Sequence, residues 1–422
     1  MTGPLLVKRF LNTALRKPEF LWTALGQTFI VLQSFIQTKI LATSLTQGQY
    51  GEWVLVLSIT VLVGMLPFTA VNEAVTSLSG SRERSNRSTD LFAQVFIIYS
   101  IIFLVWAVIL TVLSATLHGP LSQHLPLFLA FTYTEVLRTA SISHDNATRR
   151  RRRVALNRSW DLIARSVVLL LVASAHALDI TTVLAVLASA NSIGLLFSWR
   201  KLRAISNVNR RSLAQTFRSL VVFSWPLIIW ALFGWLQNML SRWYLVEWTS
   251  SEIVARFAVV VSTATFIPNF MYSVLASYLL PVLFGRGAPF PLRRYLRITA
   301  VFASILTAYV FATFLGARYM LLVLTDAKYV DLYSYIPWMS ASASIFVLAS
   351  LYGADLFRAR KTRQLLVPSI LPGVVALALG PLIIPRFNMI GAIGIFMLGQ
   401  LVYSVLAVWV TTRHLLRQEK GN

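Results

Sequence analysis

The stretch KILATSLTQGQYGEW, Lys39 to Trp53, has an altered counterpart in the second half of the chain, RWYLVEWTSSEIVARF, Arg242 to Phe257. Each copy ends an apolar run on a cation, turns through a short polar loop and enters a new apolar run. Lys39 aligns with Arg242 and Glu52 with Arg256, with one extra residue in the second loop; beyond them Pro67 falls near Pro268. A lysine or arginine at the centre of a membrane helix costs about 2.5–3.5 kcal/mol on insertion scales. A cation at matching places in both copies therefore argues for a duplicated chain rather than two stray charges. A second pair of landmarks keeps the register: SHDNATRRRRR (Ser143 to Arg153) and GADLFRARKTR (Gly353 to Arg363) align Asp145 with Asp355 ahead of a basic loop. The first copy opens the first of two similar halves and the second copy opens the other.

Composition says what kind of halves these are. The 422 residues are 57% hydrophobic and only 13% charged, against roughly 25% charged in soluble domains. A membrane span needs about 20 mostly apolar residues, and twelve such runs occur: 20–43, 53–78, 91–117, 126–147, 159–178, 181–199, 219–245, 254–284, 298–316, 334–357, 364–384 and 391–412. Backbone polar groups in lipid must be satisfied within the chain, so each run is a helix. The expected fold class is all-α and polytopic: twelve transmembrane helices in two six-helix lobes around a central cavity, residues 1–205 and 213–422. Pro67, Pro226, Pro268 and Pro372 are expected to kink their helices, because each removes a hydrogen-bond donor. The first run is too long for a signal-peptide core and is read as a retained span.

Net charge is +23 and there are no cysteines, which excludes disulfides and thiolate metal sites. The basicity follows topology. Of 38 Lys and Arg, 30 lie in the termini and the connections on one face, three (Arg318, Lys328, Arg386) on the other, and five inside the runs. By the positive-inside rule both termini are cytoplasmic. The run Arg149–Arg153 is thus a topology signal, with anionic membrane lipids as its natural neighbours; no soluble module exists to present it to nucleic acid. All connections on the opposite face are short, the longest being about 317–333.

With these features on the page, the chain resembles the lipid-linked oligosaccharide flippases of the Wzx type, exporters of O-antigen, capsule and exopolysaccharide repeat units in the multidrug/oligosaccharidyl-lipid/polysaccharide exporter superfamily. The resemblance rests on LATSLTQGQYGEW with its Tyr50-Gly51 pair, FSWPLIIWALFGWLQNMLSRWYL (Phe223 to Leu245), LLPVLFGR (Leu279 to Arg286) and IPRFNMIGAIG (Ile384 to Gly394). One departure is Ala255-Arg256, where that family more often has a glycine before an aromatic residue. The resemblance implies two lobes that alternate between inward-open and outward-open states in the bacterial inner membrane. It implies an undecaprenyl-diphosphate-linked glycan of the lipopolysaccharide or exopolysaccharide type as cargo, no cofactor, and polysaccharide polymerase and chain-length proteins as partners.

The charged residues within spans are the candidate site. Lys39, Arg138, Arg242, Arg256 and the amide Asn238 are expected to contact cargo, because guanidinium forks bind phosphate and carboxylate bidentately and a low-dielectric cavity strengthens the attraction. Gly234, Asn238 and Arg242 recur every four residues on one helical face. Arg138 has Glu135 three residues earlier on its own face, which leaves open a self-neutralising pair. Arg165, with Asp161 one turn before it, reads as an ion pair. Lys39, Arg242 and Arg256 are also placed to snorkel to the headgroups. Glu135, Glu73 and Asp355 are candidates for ion or proton coupling, and Asp145 for pairing with the basic loop. The competing classes are a membrane-embedded polymerase or acyltransferase and a multidrug extruder. The five histidines show no acid at motif spacing and no metal set, which disfavours the enzyme. Five intramembrane cations disfavour a cationic drug as cargo.

Overall fold

A computed structural model describes residues 18–75, 88–117, 120–148, 150–175, 178–198, 208–284, 292–358 and 362–420. Among these residues the ordered elements are helices. They are α1 (Pro18–Ser44), α2 (Gln47–Val63), α3 (Ser88–Leu117), α4 (Pro120–Ala147), α5 (Arg151–Ser174), α6 (Ile180–Leu195), α7 (Arg210–Trp248), α8 (Ser251–Phe284), α9 (Leu292–Leu324), α10 (Ile336–Arg358) and α11 (Leu366–Lys420). The last is divided at Asn388, whose φ of 48° lies in the left-handed region, where asparagine is among the few side chains tolerated. The two parts of α11 take up the last two expected spans, so among the described residues each expected run lies mainly in helix.

Among the described residues seven helices are long and apolar enough to cross a bilayer by composition alone, the last covering two of the expected spans, and α7 adds an eighth as a helix broken at Pro226 into Arg210–Trp225 and Leu227–Trp248. Helices α1, α4 and α5 fall outside that set; α4 and α5 carry the charges described below. Outward-facing apolar side chains supply the other half of the argument. On α3, Ile101, Leu104, Val105, Val108 and Val112 are exposed, and on α9 so are Phe311, Phe314 and Leu315. Faces this apolar require lipid rather than water. The chain is an all-α polytopic membrane protein.

Two expected kinks are present. Helix α2 passes into a π-turn, Gly64–Thr69, with Leu66 off helical geometry at φ −114°, ψ 102° beside Pro67; α7 breaks at Pro226. Helix α8 runs through Pro268 and α11 through Pro372, with Asn388 rather than the proline as the non-helical residue of α11. The stretch 317–333 is not the open loop expected from sequence: α9 continues to Leu324 and a 3-10 segment, Ala327–Tyr335, leads into α10. The apolar residues Met320 to Leu324 prolong the helix, and Asp326 caps the next turn through the Lys328 amide, 3.1 Å.

The chain packs as two compact units. One comprises residues 1–37 and 63–228; the other comprises 38–62 and 229–422. In the first, the break at Pro67 is sealed from α3: Trp106 Nε1 donates to the Leu66 carbonyl at 2.7 Å, and the Tyr99 hydroxyl reaches the Phe68 carbonyl and Asn72 Oδ1 at 3.2 and 2.8 Å. These bonds give the Leu66 and Phe68 carbonyls at the distorted turn side-chain donors from α3, which lipid could not supply. In the second unit, the indoles of Trp235 and Trp243 on α7 bind the carbonyl and hydroxyl of Ser58 on α2 at 2.8 and 3.0 Å. Helices α7 and α11 meet closely: a methyl group at Gly373 would lie 2.6 Å from the Phe233 carbonyl oxygen. Small residues at such crossings let backbones approach where no hydrophobic force drives helices together.

Candidate functional site

The most charged interior lies in the first unit, where α4, α5 and α6 meet. On α5, Asn157, Asp161 and Arg165 stand four residues apart and are all buried, so one polar stripe faces the neighbouring helices. Arg138 of α4 ion-pairs with Asp161 and donates to Asn157 Oδ1 at 3.0 Å. Its side chain and that of Asp161 are each 1% exposed. Arg165 binds Glu135 at 2.5 Å, donates to Asn191 of α6, and lies 3.7 Å from Asp161. Arg138 also stands 3.8 Å from Glu135, and Arg158 stands 3.7 Å from Asp161. Three guanidinium groups and two carboxylates form one network with a surplus of one positive charge. Glu135 at 28% and Arg158 at 23% exposure are its open members.

This network fixes two sequence expectations. The i, i+3 pair of Glu135 and Arg138 exists, but the stronger partners come from α5. Arg165 and Asp161 are paired as read, with Glu135 closer to Arg165 than Asp161 is. Removing one partner from so buried a set would leave an uncompensated charge. Arg138 and Arg165 are thus committed to carboxylates within the unit. Sequence reading missed Asn157, Asn191 and Arg158. The four-residue spacing of Asn157, Asp161 and Arg165 was the available signal; Asn191 comes from another helix and had none.

The second unit treats its cations differently. Arg242 is half-buried on α7, its Nη1 donates to the sulfur of Met239, and among the described residues its buried Nε has no hydrogen-bond partner. Among the described residues no carboxylate lies within ion-pair reach of it; the buried Tyr50 of α2 is within its electrostatic range. Asn238, one turn earlier, is exposed and donates to the Gly234 carbonyl at 2.7 Å. The face Gly234–Asn238–Arg242 thus carries a guanidinium with no carboxylate partner among the described residues. A desolvated, unpaired fork of donors suits a planar or tetrahedral oxyanion.

The remaining candidates are placed as follows. Lys39 donates from Nζ to the carbonyls of Leu322, 2.6 Å, and Thr325 at the end of α9, where a cation complements the helix dipole. Arg256 ion-pairs with Asp331 at a partly exposed position. Glu73 is exposed near the end of the second span. Asp355 lies on α10, its side chain outside the described residues. His124 bonds the Thr181 hydroxyl at 3.1 Å and the buried His144 ring packs on Phe92 at 5.2 Å; His118 and His176 lie outside the described residues.

Comparison with known proteins gives the fold its relatives. The lipid II flippase MurJ, in an inward closed conformation, superposes with a TM-score of 0.70 at 10% identity, over 93% of this chain and 86% of that one. A multidrug resistance MATE family transporter of the MOP superfamily in an inward-facing conformation gives 0.70 at 12% identity, over 95% and 98%. A point mutant of the Vibrio cholerae MATE transporter VcmN gives 0.67 at 13% identity, over 94% and 96%. No curated protein matches by sequence. Residues 18–285 match the family described as polysaccharide biosynthesis protein. That match spans most of the chain, so one conclusion follows: the chain belongs to the polysaccharide biosynthesis protein family, with a fold like those of the MurJ and MATE structures.

Proposed function

We propose that this chain is a flippase for an undecaprenyl-diphosphate-linked oligosaccharide repeat unit, carried from the cytoplasmic to the periplasmic leaflet of the bacterial inner membrane by alternating access of its two six-helix halves. The observation that carries the reading is Arg242. It is the intramembrane guanidinium left without a carboxylate among the described residues, while Arg138 and Arg165 are neutralised at home. A transporter that moves an anionic head group past the bilayer centre needs such a charge. It also needs that charge held loosely enough to release cargo. Asn238 on the same face supplies an exposed amide for sugar hydroxyls. The prenyl tail stays in lipid while the head travels.

The surplus charge of the buried network adds an attractive potential, with the open edges at Glu135 and Arg158 as its points of contact. Glu135 is engaged by two guanidinium groups, so it serves as a fixed counter-charge rather than a proton carrier. The ratio of basic residues between the two faces supports cytoplasmic termini. Polymerase and chain-length proteins are the partners expected to take the product onward.

Deleting the gene tests the reading. The expected result is loss of polymerised surface glycan, with lipid-linked repeat units accumulating in the inner leaflet. Unchanged surface glycan in a strain with no second flippase contradicts it.

A further inference from the structure

Two lysines far apart in sequence do the same thing to each other's helix. Lys39, near the end of α1, donates to the Leu322 and Thr325 carbonyls at the end of α9. Lys328, just beyond α9, donates to the Leu45 carbonyl at the end of α1, 2.6 Å. Gln47 Nε2 donates to the Lys328 carbonyl at 3.2 Å and closes the ring. Each ammonium thus caps the other's helix, where unsatisfied carbonyls carry the negative end of the dipole. Beside this ring, the first turns of α2 lie on the start of their repeat counterpart, α8. A methyl group built on Gly51 would stand 1.8 Å from the Ser251 carbonyl oxygen, so the two backbones touch.

Lys39, Leu45 and Gln47 belong to the first half of the duplicated sequence; Ser251, Leu322 and Lys328 belong to the second. In the orientation proposed above, all of them lie at the outer face, where cargo must leave. The ammonium groups hold neutral carbonyls rather than carboxylates. Parting therefore strands no buried anion, and water or an anionic head group can take the carbonyls' place.

We propose that Lys39 and Lys328 form a reciprocal latch across the exit, which must open for cargo to pass and which then presents two free cations to the anionic head group. This rests on the flippase reading, but its first test does not depend on cargo. The chain has no cysteine, so Ser58→Cys creates a sole thiol. Ser58 is buried below the turn and bound by Trp235 and Trp243. A membrane-impermeant maleimide added from outside reads how often the exit opens. Lys39→Met with Lys328→Met is expected to raise the labelling rate about tenfold, the order expected from losing charge-assisted hydrogen bonds. Lys39→Arg with Lys328→Arg is expected to keep it slow. An equal rate in the methionine variant and its parent overturns the proposal.

A second measurement guards against a misfolded variant. A methyl group on Gly48 would stand 3.5 Å from Ser251 Oγ, within what a disulfide spans. Gly48→Cys with Ser251→Cys is expected to stop export when oxidised and restore it when reduced. Full export through the bridged protein overturns the latch. If deletion of the gene leaves surface glycan unchanged, the flippase reading fails while the labelling result still decides whether the latch exists.

Discussion

At the scale of residues, Arg138 and Arg242 differ in their partners. Both are arginines inside apolar helices, and in sequence only Arg138 has an acid, Glu135, on its own helical face. In the fold Arg138 has Asp161, Asn157 and Glu135, whereas Arg242 has a thioether. Asp161→Asn leaves two buried guanidinium groups short of charge, and breaking a buried pair this way destabilises by about 3–5 kcal/mol. The expected outcome is a lower melting temperature and less protein in the membrane, measured in detergent and by immunoblot. Arg242→Ala removes no ion pair, so protein level should hold. A charge-assisted contact is worth about 1.5–3 kcal/mol, so export should fall by tenfold or more. The candidate cations were legible in the sequence one by one. Their same-helix partners Glu135 and Asp161 were legible too, but the pairs of Arg138 with Asp161 and of Arg165 with Glu135 and Asn191 were not, because they form between helices. Lys39 shows the same limit: its sequence promised a cation at a span end, and only the fold reveals the α9 carbonyls that hold it.

At the scale of elements, glycines mark where helices touch. Gly51→Ala would press a methyl into the Ser251 carbonyl and Gly373→Ala into that of Phe233, and backbone cannot step aside. Each is expected to lower the melting temperature by several degrees, as overpacking by about 1–3 kcal/mol would. Gly380→Ala is the contrast: its methyl would meet the ring edge of Tyr244 at 2.2 Å, a side chain rather than backbone, so its loss should be smaller than theirs. Asp179 outside the span is a pH-sensitive cap. It accepts from the Thr182 amide at 2.7 Å in a capping box. Slight burial pushes its carboxyl up, but the Thr182 hydrogen bonds outweigh that and hold it below the usual carboxylate range. With the folded value depressed, its stabilisation is present above the unfolded value and disappears as pH falls through the folded one. Asp179→Asn should therefore flatten the acid limb of a pH–melting curve below about pH 4. The apolar period made every span legible. It misjudged the end of α9, since Met320 to Leu324 extend a helix that span length alone would stop.

At the scale of the whole molecule, the duplicated sequence and the packing carry different information. The repeat divides the chain at 205–213. Contact density instead groups residues 38–62 with 229–422, because Gly51 on Ser251, the Trp235 and Trp243 bonds to Ser58, and the lysine caps are tertiary features with no sequence period. The class of the protein was legible from length, hydropathy and landmarks, and the family match over residues 18–285 bears it out. The anionic cargo proposed above rests on one position, Arg242. In a strain lacking the native gene, wild-type, Arg242→Ala and Arg242→Lys proteins are expressed to equal levels, and surface polysaccharide is measured beside lipid-linked repeat units retained in the membrane. The account predicts full surface glycan for wild type, partial export for lysine, which keeps the charge but loses the fork, and repeat units trapped inside for alanine. Equal surface glycan from the alanine protein would contradict it.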